Sequence, residues 1–172
     1  MRVTIIGAGN MGRGISHRLV AGGHDVTVVD RDPEEAGRLA EELRGAAEGG
    51  ATVEAAEPGA ELGGEVVILA VYYPGNLEIA RDLGDRLAGK VVVDISNPLN
   101  QTFDGLATAP GTSAAEMHRP AVGLKLVCCG KVAKQLSRTH GFGVADHTWP
   151  YRSQTLRIAC HAHPLLATLA LC

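Results

Sequence analysis

The string Gly7-Ala8-Gly9-Asn10-Met11-Gly12 constrains this chain more than any other feature. Alone, G-x-G-x-x-G is a weak signal; its setting gives it weight. Arg2–Ile6 is a short β-branched run that ends at Gly7. Asn10–Ala21 places Met11, Ile15, Leu19 and Val20 at near-helical spacing, and Gly22-Gly23 stops that helix. A second β-branched run, Asp25–Val29, leads to an acid, Asp30, 18 positions past Gly12. Strand, glycine loop, helix, strand and acid in this order form the setting that a dinucleotide-binding loop requires. Gly7 permits the sharp turn. Gly9, without a Cβ, lets a pyrophosphate lie against the backbone, and Gly12 lets the helix approach the strand. The free N–H groups and positive end of the helix suit phosphates.

Asp30 and Arg31 pull in opposite directions. A carboxylate at the end of the second strand can accept hydrogen bonds from an adenosine ribose and repels a 2′-phosphate, which favours NAD. A guanidinium beside it can grip a 2′-phosphate or stack on adenine, which favours NADP, or it can be a solvated surface charge.

The alternation continues. Asp32-Pro33-Glu34-Glu35 predicts a helix start, with Asp32 as cap, Pro33 in the first turn and Glu35 closing a capping box. That helix is expected to run to Ala47. A strand is expected at Ala51–Ala55, a strongly apolar one at Glu65–Val71, a helix at Leu77–Leu87 stopped by Gly89, and a last strand at Lys90–Ile95 before Asn97-Pro98. Continuous apolar strands separated by helices imply a parallel sheet covered on both faces, with right-handed crossovers. The fold expected is α/β, a doubly wound parallel sheet of the Rossmann dinucleotide-binding kind. In such sheets ligands lie beyond the carboxyl ends of the strands. Ala70, Val71 and Tyr72 after one strand and Asn97 after another therefore join the glycine loop as cofactor-binding candidates. Asn97 is equally suited to a plain turn before proline. Of Tyr72 and Tyr73, one is expected to wall the pocket and one only to pack.

Composition excludes several classes. At 172 residues the chain fits one domain, on a prior of about 150 residues each. Apolar residues at 45% and charged residues at 20% suit a globular core and argue against disorder or a disulfide scaffold. One Trp, three Tyr and two Phe are too few for a base-stacking platform. The opening residues are broken by Gly7 too early to form a signal-peptide core, and no apolar run nears the ~20 residues of a membrane span. A cytoplasmic protein with four reduced cysteines is the expectation, with neither nucleic acid nor membrane as partner.

The charge balance changes along the chain. Residues 1–116 carry nine basic and eighteen acidic side chains; residues 117–172 carry seven basic and one acidic, Asp146. Cys128, Cys129, Cys160, Cys172, the single Trp and five of seven His also fall in the second part. Residues 1–116 are read as the dinucleotide-binding core and 117–172 as an atypical segment. Cys160, His161 and His163 lack a partner motif at metal-ligand spacing, and Cys128-Cys129 are adjacent, so no metal is expected. The basic charges are scattered, which argues against a nucleic-acid arm. Acid depletion with sudden Cys, His and Trp enrichment is also what a shifted reading frame produces. Another frame of the coding DNA that restored a family motif would support that reading; an uninterrupted gene with relatives of the same length would defeat it.

The opening string, Val3-Thr4-Ile5-Ile6-Gly7-Ala8-Gly9-Asn10-Met11-Gly12, resembles the start of the NADP oxidoreductases that use the deazaflavin coenzyme F420, and also that of pyrroline-5-carboxylate reductases. Val28-Val29-Asp30-Arg31-Asp32-Pro33-Glu34, Glu65–Val71 and Gly89–Pro98 favour the first family, as do Thr102–Leu106 and Ser113–Glu116. The second family needs a helical dimer domain that this chain is too short to hold. The resemblance covers residues 1–116. It implies hydride transfer between NADP or NAD and a deazaflavin or similar small-molecule co-substrate, in a chain that can pair with a second copy. It names no catalytic side chain, because the cofactors carry the reactive carbons. The sequence departs from the family twice. Asp30 stands where Ser or Thr often precedes the Arg, and a Lys-Ala-Phe-Asn-like motif is missing where Leu124–Cys129 stands. If residues 117–172 are not the native end, the segment that closes the substrate side is absent. A dinucleotide-binding module without turnover is the alternative.

Overall fold

A computed structural model describes residues 1–47, 50–102, 104–109, 114 and 117, and the backbone of 126–128. The elements follow in the order β1 (Arg2–Ile6), α1 (Asn10–Ala21), β2 (Asp25–Val29), α2 (Pro33–Ala46), β3 (Val53–Ala56), β4 (Val66–Leu69), α3 (Tyr73–Leu83), a 3₁₀ turn (Gly84–Leu87), β5 (Val91–Asp94) and β6 (Leu126–Cys128). The six strands form one sheet in the order β3-β2-β1-β4-β5-β6. Each pairing is parallel. The fold is the doubly wound sheet that the alternation predicts. The strand order reverses beside β1, which pairs β2 on one side and β4 on the other.

Side chains alternate across the sheet, so one strand supplies both faces. Val3, Ile5, Val26, Val28, Val66 and Ile68 pack on one face beneath Ile15, Leu19 and Val20 of α1 and Leu39, Ala40 and Leu43 of α2. Ile6, Val29, Val67, Leu69 and Val92 pack on the other with Ala80, Leu83 and Leu87. All four residues of β4 are buried, which explains why that segment reads as an unbroken apolar run.

β1, α1 and β2 have the expected bounds. The third helix does not. It begins at Tyr73 and ends at Leu83, where Gly84 takes φ +46° and the chain tightens into the 3₁₀ turn. Tyr73-Pro74-Gly75 reads as a loop in sequence, yet proline in a first turn forfeits no helical hydrogen bond. β3 starts two residues later than expected, and β4 and β5 are trimmed at both ends, because a strand's length is set by its neighbours. The capping box of α2 is half formed. The Asp32 side chain accepts from Glu34 N at 3.0 Å, while Glu35 turns to Arg38 at 2.5 Å. Asp30 takes Glu35's expected place, accepting from Asp32 N at 3.0 Å. The sixth strand comes from the compositionally distinct second part of the chain.

Ile68, on the central strand β4, is fully buried. Ile68→Ala should lower stability by about 2–5 kcal/mol in urea denaturation, the range for a truncated core aliphatic. A loss below about 1 kcal/mol would show that β4 is not packed as described.

Candidate functional site

The carboxyl ends of β1, β2, β4 and β5 converge at one edge of the sheet, where the glycine loop sits. Gly7 turns the chain with φ +113° and donates its N–H to Val29 O at 2.8 Å. A Cβ on Gly7 would lie 2.6 Å from Ala70 O, so the β1 and β4 loops meet there. A Cβ on Gly12 would lie 1.9 Å from Gly7 O, which fixes how closely α1 approaches β1. Gly9 differs. It has φ −67°, is exposed, and a Cβ there would meet nothing within 4 Å among the described residues. No contact among the described residues requires the small residue at 9. The open space over it is the cradle that a close-lying ligand backbone would use.

The two neighbouring helices contrast. α2 is capped by Asp32 and carries Glu34 and Glu35 in its first turn. α1 has no side-chain cap and no acid in its first turn. The N–H groups of Asn10, Met11 and Gly12 precede the first helical hydrogen bond, Arg13 N to Gly9 O at 2.8 Å. Asn10 and Met11 are exposed and Gly12 is buried. The α1 N-terminus thus has the donors and positive dipole end of an anion site with no anionic side chain of its own.

Asp30 is half-buried and holds the loop. Its Oδ2 accepts from Ala8 N at 2.7 Å and its Oδ1 from Asp32 N. The end of β2 is thereby pinned to the loop after β1. The Ala8 N–H is committed to Asp30, so any part for Ala8 in holding a ligand passes through its backbone position. Arg31 is exposed beside it and forms no ion pair among the described residues.

Across the crevice, Ala70 and Val71 are half-buried and Tyr72 is 83% exposed, whereas Tyr73 is buried. Tyr72 is therefore the one available as a wall and Tyr73 the one that packs. Burial pushes the Tyr73 phenol up from its ordinary range, and the charge of nearby Asp94 adds to the rise. Asn97 is exposed and its carbonyl accepts from Leu99 N at 2.8 Å, a tight turn around buried Pro98. Sequence reasoning missed Asn76 and Asp94, both buried, which hydrogen-bond to each other at 2.8 Å beneath these loops. The available signal was an acid closing the apolar run Val91-Val92-Val93.

Among the described residues no group of three or more His, Cys, Asp or Glu could hold a metal ion, and no helix is long and apolar enough to cross a membrane. Cys160, His161, His163 and the reading-frame question lie outside the described residues.

Residues 2–98 match the model of a family described as NADP oxidoreductase, coenzyme F420-dependent. The chain belongs to that family. It is 29% identical over 110 residues to the F420-dependent NADP reductase of Methanothermobacter thermautotrophicus, covering 62% of this chain and 47% of that one. The chain thus spans about half the length of that curated relative. Among solved structures, a putative F420-dependent NADP reductase from an Arthrobacter species is similar at 26% identity and a TM-score of 0.54, over 70% of this chain and 59% of that one. A hypothetical protein from Sinorhizobium meliloti shares the fold, with a TM-score of 0.66 at 23% identity over 98% of this chain and 81% of its own.

The glycines should separate on substitution. Gly12→Ala and Gly7→Ala should each lower stability by about 2 kcal/mol or more, since backbone must move to admit the methyl group. Gly9→Ala should stay within about 0.5 kcal/mol of the parent. Thermal denaturation of the three variants checks this; equal losses would refute the geometry given for the loop.

Proposed function

We propose that this chain is an NADP-dependent oxidoreductase whose glycine loop holds the dinucleotide and whose hydride partner is the deazaflavin F420 or a similar flat acceptor. The observation that carries the reading is the α1 N-terminus without a side-chain cap, beside a Gly9 whose missing Cβ would meet nothing within 4 Å among the described residues. The family and the relative named above support it. Gly7, Gly9, Asn10, Met11 and Gly12 would receive the pyrophosphate, with Ala8 held in place by Asp30. Ala70, Val71, Tyr72 and Asn97 would border the nicotinamide half. When bound, the nicotinamide supplies the hydride chemistry. The chain's own contribution is alignment and the exclusion of water, so no side chain is assigned as general acid or base.

Arg31 is the candidate for the 2′-phosphate, being exposed and without an ion pair among the described residues. Asp30 opposes it with a negative charge at the same strand end, partly offset by the N–H groups of Ala8 and Asp32. That carboxylate favours a second reading, NAD through the ribose hydroxyls.

Binding measured by calorimetry tests this. Gly9→Ala should weaken NADPH at least about tenfold, a loss of about 1.4 kcal/mol, without loss of fold. Arg31→Ala should weaken NADPH by about tenfold and leave NADH unchanged. Asp30→Ser should shift the preference toward NADPH while lowering affinity for NADH, since it removes the carboxylate that would accept from the ribose hydroxyls and repel a 2′-phosphate. An unchanged NADH to NADPH ratio would show that Asp30 does not face the ribose. Oxidation of NADPH on adding F420 then tests turnover. Tight binding with no oxidation would mark a dinucleotide-binding module instead.

A further inference from the structure

The buried polar pair below the crevice has a pattern that core packing does not account for. Asn76 is 0% and Asp94 1% exposed. Burying such groups is costly unless they are hydrogen-bonded, so their place in the core is explained by the groups they bond. Their bonds run to the strand ends and loops that flank the crevice. Asn76 Oδ1 accepts from Val71 N at 3.3 Å, the residue before Tyr72. Asn76 Nδ2 donates to Leu69 O at 3.2 Å and to Asp94 Oδ1 at 2.8 Å. Asp94 Oδ1 also accepts from Ser96 N at 2.8 Å, the residue before Asn97. Leu69 and Asp94 are register partners, so the pair bridges the carboxyl ends of β4 and β5. The Asn76 N–H donates to Tyr72 O at 3.0 Å and closes the β4 loop onto α3.

We infer that Asn76 and Asp94 are positioning residues: one amide–carboxylate pair sets the Val71–Tyr72 loop and the Ser96–Asn97 loop relative to each other, and so shapes the half of the crevice that takes the nicotinamide end of the dinucleotide. This rests on the reading of the crevice as a pyridine-nucleotide site. Asp30 and the α1 N-terminus, on the far side of β1, serve the adenosine and pyrophosphate half. The two halves therefore depend on different side chains.

The test uses the full chain and calorimetry with two probes. One is whichever of NADPH or NADH the parent binds more tightly; the other is its adenosine half alone, 2′,5′-ADP or ADP. Asp94→Ala is expected to weaken the whole dinucleotide more than tenfold and the fragment less than twofold. Asp94→Asn keeps an acceptor oxygen for Asn76 and Ser96 and should recover the dinucleotide to within threefold of the parent. Should Asp94→Ala fail to fold, Asn76→Ser is read the same way. Parallel weakening of both probes, no weakening of either, or Asp94→Asn behaving like Asp94→Ala would overturn the inference. A parent that binds neither probe would remove the underlying reading, and this one with it, a result separable from the others because no variant is needed to see it.

Discussion

The start of α1 lies so close to the end of β1 that no side chain fits between them. A Cβ at Gly12 would overlap the Gly7 carbonyl oxygen at 1.9 Å, and one at Gly7 would overlap the Ala70 carbonyl oxygen at 2.6 Å. These two contacts place the helix N-terminus over the point where the sheet reverses its strand order. Were α1 displaced outward, the N–H groups of its first turn would no longer face the carboxyl edge of the sheet. The placement of that N-terminus thus rests on steric exclusion at two positions, while its positive potential comes from backbone dipoles that any helix has.

Around that contact the strand ends divide the work. On the β2 side, Asp30 clasps the glycine loop through Ala8 N and starts α2 through Asp32 N, so one carboxylate orders the loops after β1 and β2. On the β4 and β5 side, Asn76 and Asp94 do the corresponding work from beneath. Both devices satisfy backbone N–H groups that leave the sheet ladder at its carboxyl edge, where unpaired donors would otherwise be costly. A loop held from within can meet a ligand without first being ordered, and this lowers the entropic cost of binding.

Tyr72 and Tyr73 show how a local sequence leaves such questions open. Adjacent tyrosines after a strand are equally good as wall or as core; which is which depends on where α3 begins. Pro74 puts that start at Tyr73, which turns Tyr73 inward and leaves Tyr72 at the mouth. Asp30 shows the same limit for polar groups. Its position past the glycine loop makes it a binding candidate in sequence, but its bond to Ala8 joins residues that only the fold brings together.

The glycine loop, the class of fold and the bounds of β1, α1 and β2 were settled by residue pattern alone, because steric exclusion, helix period and β-branching act over a few neighbours. Strand order, the ends of β3, β4 and β5, the recruitment of residues 126–128 as a sixth strand, and the Asn76–Asp94 pair came only with the tertiary structure. Each depends on contacts between segments distant along the chain, and partners of that kind leave no local periodicity to read.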